Sequence, residues 1–454
     1  MGSPRPQSGA PGPYEFPTAT RQTLANGLRV IVAPMHRLPL VTVIAVVDAG
    51  AAGDAGGEEG LAMLTASALT EGTANRDGPA LVDAFERLGT AVESGADWDD
   101  ASVRLTVTPP RLDEALALLA EVLRAPRFSE SDVERLKSER LAELLQQQME
   151  PRGLADERFA RVVYDASSRY ATAAGGSPRS VRTLDVAQVR GWHEARYSGA
   201  TTTVIVAGDV TPSRVLELIE RRFGGWRQPV QPMRSLEATA RSAMRAVHVV
   251  AKPDAPQSEL RVGHTGLPRM HRDYFAVVVM NAVLGGLFSS RINLNLREVH
   301  AYTYGAHSGF DWRRNAGPFV VASAVKTEVT DAAVREILLE IDRIRDEEVS
   351  ADELDLATKY LAGVFPVRYE TTGAVASALA LATVYGLPDD YFSTYRERIA
   401  SVSRADVLAA ARAHIHPAAL QVLAVGDVKA IEAPLAALGV ATPLVTSATE
   451  EDDA

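Results

Sequence analysis

The 454-residue sequence contains no cysteine. Disulfides, cysteine nucleophiles and thiolate zinc sites are therefore excluded, although a chain of this size can do without disulfides in any compartment. No run reaches the ~18 apolar residues needed to span a bilayer. The first six residues, Met1-Gly2-Ser3-Pro4-Arg5-Pro6, lack the apolar centre of a signal peptide. An excess of positive charge is missing too. The formal net charge is -11, and phosphate recognition needs a basic face, so nucleic acid is a poor ligand. An acidic cleft suits a basic or amphipathic peptide better. The Gly-rich run from Gly50 to Gly57 lacks the Gly-Lys-Ser/Thr ending of a phosphate loop and the Rossmann spacing. It reads as a mobile loop ahead of a helix. No nucleophilic triad can be argued.

Hydrophobic residues make up 46% of the chain and charged residues 23%, as in a soluble globular protein of two to four domains. The Pro/Gly/Ser-rich stretch from Ser3 to Pro17 has the composition of a leader left after signal cleavage. A periplasmic or secreted location is expected on that ground, with the cytoplasm as the alternative.

Three landmarks occur twice, in the same order, about 220 residues apart. Thr203-Val204-Ile205-Val206-Ala207-Gly208-Asp209-Val210 returns as Gln421-Val422-Leu423-Ala424-Val425-Gly426-Asp427-Val428. Ser129-Glu130-Ser131-Asp132-Val133 returns as Ser350-Ala351-Asp352-Glu353-Leu354. The apolar stretch from Gly60 to Gly72 returns as Tyr274 to Gly286. In the first copy, Asn26-Gly27 marks a turn before the apolar run Leu28 to Ala33. Val41 to Val47 is a buried strand by its β-branched content. A helix starts near Gly60, and Ala101 to Val107 alternates at period two as a strand does. Leu112, Ala115, Leu116, Leu119 and Leu123 share one helical face. Ser129 or Ser131 caps a helix that runs to about Met149, where Pro151-Arg152-Gly153 stops it.

Strands and helices are not strictly interleaved, so the expected class is α+β: two homologous halves, each a mainly antiparallel sheet with helices packed on one face. The boundaries read as a flexible N-terminal arm (1–20), a first domain (21–226), a linker stiffened by Pro229 and Pro232 (227–246), a second domain (247–440) and an acidic, disordered tail (441–454).

Ala25-Asn26-Gly27-Leu28-Arg29-Val30, Glu71-Gly72-Thr73, Gly208-Asp209-Val210, Ser289-Ser290-Arg291 to Tyr304-Gly305, and Tyr385-Gly386-Leu387-Pro388-Asp389-Asp390-Tyr391 together resemble the pitrilysin/insulinase family of inverted-motif zinc peptidases. The resemblance runs from about Thr20 to Val440 and includes the non-catalytic subunits of two-subunit peptidases. It implies a clamshell of two similar halves. A catalytic member carries His-x-x-Glu-His on a helix of the first half, because imidazoles at i and i+4 share one face and can share a zinc while the Glu activates water.

Here the matching helix reads Gly60-Leu61-Ala62-Met63-Leu64-Thr65-Ala66-Ser67-Ala68. Met63 and Ser67 stand at the histidine positions and Ala66 at the general base. Thioether and hydroxyl do not replace imidazoles around zinc, so no metal and no cofactor is expected on this chain, and zinc is expected on a partner subunit with an intact motif. Glu143 falls near the third-ligand position. None of the nine histidines rebuilds the motif elsewhere. His414 and His416 flank Ile415, and they read as surface or core histidines.

What the resemblance leaves functional lies in the second half. The family's substrate-contacting arginine and the tyrosine seven residues later match Arg297 and Tyr304, with Ala301 where glycine is usual. A guanidinium donates in a fixed fork to peptide carbonyls, and a phenol can donate to an oxyanion. If Tyr302 to Phe310 forms a strand, Tyr302 shares a face with Tyr304 and competes for the role. Arg291 reads as structural. In the first half, the segment Glu93 to Trp98 is the counterpart of an edge that pairs with extended peptide, which brings in Ser94 and Asp97. The expected function is a non-catalytic, substrate-binding subunit of a heterodimeric zinc endopeptidase. The alternative is a scaffold of the same fold with no proteolytic role.

Overall fold

The computed structural model describes residues 14–231, 233 and 236–448. Its first half contributes β1 (Thr20–Thr23), β2 (Arg29–Pro34), β3 (Val41–Val47), β4 (Glu93–Ala96), β5 (Ala101–Val107) and β6 (Thr202–Gly208), joined in the order β1-β2-β6-β3-β5-β4. The second half contributes β7 (Ala246–Ala251), β8 (Gln257–Thr265), β9 (Ala306–Phe310), β10 (Pro318–Lys326), β11 (Gln421–Gly426) and β12 (Pro443–Ser447), in the order β12-β7-β11-β8-β10-β9. Five of the six positions correspond; the edge strands β1 and β12 differ, β1 being antiparallel to β2 and β12 parallel to β7. β2 with β6 and β7 with β11 are parallel at equivalent places. The repeat seen in the sequence is thus a repeat of topology, and Ser129 and Ser350 cap equivalent helices.

The central strands explain how the halves combine. In β2, Val30 and Val32 face the first half's main core, where the Leu61–Ala68 and Leu112–Arg124 helices pack, while Ile31 and Ala33 face the opposite way. Those outward residues, with Ile44, Ile205 and Ala207, are covered by Val375, Ala376 and Leu379 of the Thr372–Tyr385 helix, which belongs to the second half. The exchange is reciprocal. Val422 and Ala424 of β11 face the second half's own core, and Leu423 and Val425 are covered by Leu154, Phe159 and Val162 of the Pro151–Val163 helix from the first half. Strands buried on both faces read as continuous apolar runs rather than alternating ones. Each fully buried aliphatic side chain contributes roughly 1.5–3 kcal/mol.

Polar ties reinforce the exchange. Arg261 Nε donates to Asp156 Oδ1 at 2.7 Å, Arg314 Nη1 to Asp48 Oδ1 at 2.5 Å and Tyr164 Oη to the Ala316 carbonyl at 2.8 Å. Pro151, expected to stop a helix, also starts the exchanged one at its first position, where its missing N–H costs nothing.

Both chain ends depart from expectation. Residues 1–13 lie outside the described residues, but the rest of the expected N-terminal arm is anchored. Phe16 stacks on Phe392 at 4.3 Å and Tyr14 Oη donates to the Tyr369 carbonyl at 2.9 Å. Two aromatics in a Pro-rich stretch suffice to pin it against the second half. At the other end, residues 443–447 form β12, parallel to β7. Leu444, Val445 and Thr446 supply a short extended run that outweighs the acidic composition around it. Residues 449–454 lie outside the described residues.

Candidate functional site

The helix at the position of the zinc motif spans Leu61–Ala68. Gly60 precedes it with φ 99, a conformation that suits glycine. Asp54 caps it from a distance, accepting from Gly60 N at 2.9 Å and Ala62 N at 3.0 Å, while Arg169 Nη2 donates to the same carboxylate at 3.0 Å. Asp54 and Arg169 are both buried. The run from Gly50 to Gly57 is accordingly held, not loose: Ala51 N and Ala52 N donate to the carbonyls of Asp97 and Trp98 at 2.9 Å each. The ion pair of Asp54 escaped sequence reasoning because Arg169 lies 115 residues away.

Met63 and Ser67 share the half-open face of this helix, and Ala66 is fully buried. Ser94 Oγ donates to the Ala66 carbonyl at 2.7 Å. Glu143 is 62% exposed and pairs with Arg140 at 3.0 Å. A thioether, a hydroxyl, a methyl and an exposed, already paired carboxylate do not make a zinc ligand set. The residues do not fit the metal.

β4 is the terminal strand of its sheet and pairs only with β5. Asp97 follows it, is exposed, and accepts from Trp98 N at 2.7 Å. Trp98 packs edge-on against Tyr170 at 4.8 Å, and the Arg313 guanidinium of the second half lies 4.2 Å from the Trp98 ring centre. A cavity of about 340 Å³ opens beside them, against the Glu130–Met149 and Pro151–Val163 helices.

Next to this edge, Asp97, Asp99 and Asp100 crowd together with Asp48, offset by Arg314. Burial first, then the carboxylates of Asp97 and Asp99, push Asp100 up to about 6 from 3.8. A raised acid stabilises the fold fully below its unfolded value and loses that contribution as pH climbs through the folded one. Asp100→Asn is therefore expected to stabilise the protein at about pH 8 by on the order of 2 kcal/mol and to have little effect near pH 4. Urea denaturation at the two pH values checks it.

In the second half, Arg297 lies in a helical turn, Leu294–Val299. Its guanidinium sits 4.5 Å from the ring centre of Phe288 and 3.4 Å from Glu298 Oε1. Phe288 is 70% exposed, and Tyr304 is 92% exposed. Tyr304 has no hydrogen-bond partner among the described residues. Phe288 and Tyr304 line one cleft of about 680 Å³ together with Arg261 and His307 of the second half and Arg152 and Asp156 of the first. Phe288 was not singled out from the sequence, although an aromatic directly before Ser289-Ser290-Arg291 was available as a signal.

Tyr302 differs from expectation. The strand begins at Ala306, so Tyr302 and Tyr304 share no strand face. Tyr302 stacks on His300 at 4.9 Å and packs against the second core, which makes it a packing residue. Arg291 makes a two-pronged pair with Glu353 at 2.6 and 3.0 Å, tying two helices together rather than a helix to the sheet. The chain turns toward Tyr304 through Ala301 at φ 52, a left-handed conformation costly for any residue with a Cβ. Ala301→Gly is expected to raise stability by up to about 1 kcal/mol, and Ala301→Val to lower it by more, in urea midpoints.

One helical stretch, Tyr274–Val299, is 26 residues long and apolar enough by composition to cross a bilayer, but 50% of its apolar window is buried inside the protein.

The comparisons with known proteins agree with this geometry. A family model described as insulinase (peptidase family M16) matches residues 29–172, and one described as peptidase M16 inactive domain matches residues 183–361. The chain belongs to the M16 peptidase family. A solved M16 inactive domain from Pseudomonas fluorescens shares 25% identity at a TM-score of 0.84, covering 90% of this chain and 98% of that one. A Helicobacter pylori protease structure also gives 0.84, at 18% identity, covering 91% of this chain and 100% of that one. Among curated relatives, an uncharacterized zinc protease of Streptomyces coelicolor is 23% identical over 414 residues, 90% of each chain. The non-peptidase homolog YmxG of Helicobacter pylori is 24% identical over 389 residues, 85% of this chain and 88% of that protein. The two-domain M16 fold is thus present here.

Proposed function

We propose that this M16 chain is the substrate-binding, non-catalytic subunit of a two-chain zinc endopeptidase acting on peptides. A homologous partner with an intact His-x-x-Glu-His motif would hold the zinc and the general base. This chain would supply Arg297, Tyr304 and part of the chamber wall. What carries the reading is Tyr304: a phenol almost wholly exposed on the rim of a cleft that both halves line, with no hydrogen-bond partner among the described residues. An exposed aromatic held without a structural use is the kind of group a second molecule recognises. Arg297, steadied on Phe288, keeps guanidinium donors available for a peptide carbonyl. The free edge of β4 near Ser94 and Asp97 offers main-chain hydrogen bonds to an extended peptide.

The test is a peptidase assay on the chain alone, on a motif-bearing M16 partner alone, and on the mixture. Hydrolysis confined to, or strongly enhanced in, the mixture is expected. Chelator-sensitive hydrolysis by this chain alone would overturn the reading. Arg297→Ala in the mixture is expected to raise KM several-fold with a smaller effect on kcat, because it removes binding made equally in ground and transition states.

A second reading, a scaffold of the same fold with no proteolytic role, is favoured by the name of one relative, a non-peptidase homolog. It predicts that the mixture gains nothing from this chain.

A further inference from the structure

Far along the chain from the degenerate helix, three ligand-type side chains converge on the second half. His271 and Asp273 occupy the turn that leads into the Tyr274–Asn281 helix, and His414 is the last residue of the Arg404–His414 helix. The two helices pack together, which brings the three side chains side by side. His414 Nε2 lies 2.8 Å from Asp273 Oδ2, and His271 Nδ1 lies 3.8 Å from the same oxygen. The imidazole rings meet edge to face at 4.8 Å. One ligand atom from each residue falls within 4.8 Å of the others, and all three side chains are partly open to solvent.

One contact sets this cluster apart from an ordinary histidine–aspartate pair. The Asp273 backbone N–H donates to His271 Nδ1 at 3.2 Å. That hydrogen bond identifies Nδ1 as the unprotonated ring nitrogen of His271, and a bound cation would take the place of the amide proton on its lone pair. Arg272 Nε lies 3.6 Å from the other carboxylate oxygen, Oδ1, leaving Oδ2 as the single oxygen for a ligand.

We propose that His271, Asp273 and His414 form a binding site for one divalent transition ion of the zinc type, with water completing the coordination. Two imidazoles and one carboxylate suit a borderline-soft cation. Calcium and magnesium demand oxygen ligands and are excluded by the same donor set. Drawing the ligand atoms to metal distances of roughly 2.0–2.2 Å requires shifts of about 1 Å, which part-exposed side chains can make. The ion would clip together two segments 141 residues apart. Because only the folded chain brings these groups together, binding stabilises it. The site is independent of the Arg297/Tyr304 reading and of any zinc on a partner.

The experiment is calorimetric titration of the chelator-treated full chain with zinc chloride at about pH 7.5, paired with thermal unfolding in the presence and absence of zinc. One ion per chain, and a melting temperature raised by several degrees, are expected with zinc and not with magnesium. His271→Gln/His414→Gln should abolish both effects while leaving the circular dichroism and the zinc-free melting temperature unchanged. Asp273→Asn should weaken zinc binding tenfold or more. Absence of zinc uptake by the native chain, or equal uptake by the double variant, would overturn the proposal.

Discussion

Tyr304→Phe is expected to lower the turnover of the mixed peptidase by ~10²-fold, the scale for losing one oxyanion donor. The substitution deletes a hydroxyl and keeps the ring. Because the side chain is 92% exposed and unpartnered among the described residues, the melting temperature of the isolated subunit should not move. KM should change little, since a donor used chiefly in the transition state contributes little to ground-state binding. This pattern contrasts with Arg297→Ala, where KM takes the main effect. Wild-type turnover in the Tyr304→Phe complex would remove the phenol from the mechanism. If Arg297→Ala were also silent, the scaffold reading would gain ground.

Much of the fold was legible because local signals were strong and unopposed. Val41–Val47 and Ala101–Val107 form strands over the spans their composition and alternation predict. Ser129 caps its helix through Asp132 N. The expectation of a degenerate zinc motif rests on residue chemistry alone, since thioether, methyl and hydroxyl at Met63, Ala66 and Ser67 do not replace two imidazoles and a carboxylate.

What the sequence hid was tertiary. No periodicity reveals that the apolar outer faces of β2 and β11 are covered by helices from the opposite half, because a strand buried on both sides looks the same whichever element covers it. Tyr302 was misjudged for a related reason. A polar and aromatic stretch can extend a strand or lead into it, and here Ala301 in a left-handed conformation delays the strand until Ala306. At the termini, Tyr14 with Phe16 and Leu444 with Val445 are short apolar pairs whose partners lie elsewhere in the chain, so composition averaged over the segment concealed them. The convergence of His271 with His414 was beyond reach for the same cause.

Asp54→Ala is expected to be the most damaging single substitution for stability, costing about 3–5 kcal/mol. The carboxylate does two jobs at once. It accepts the Gly60 and Ala62 amides at the start of the Leu61–Ala68 helix, and it faces Arg169 in a place closed to water. Burial pushes its carboxyl up to about 6 against the pull of Arg169 and both amides, so the ion pair as a whole is no great source of stability. Its removal is another matter. Arg169 would keep its bonds to the carbonyls of Thr172, Ala173 and Ala174, but a buried guanidinium would remain without a counter-charge, and the two helix amides would lose their acceptor. Asp54→Asn should cost less, because the amide oxygen can still accept at one position while its NH2 confronts an N–H at the other. The measurement is the urea midpoint at neutral pH with an unchanged m-value. A loss below about 1 kcal/mol for Asp54→Ala would mean that water enters to solvate Arg169, and that the Leu61–Ala68 helix is held by its apolar packing alone.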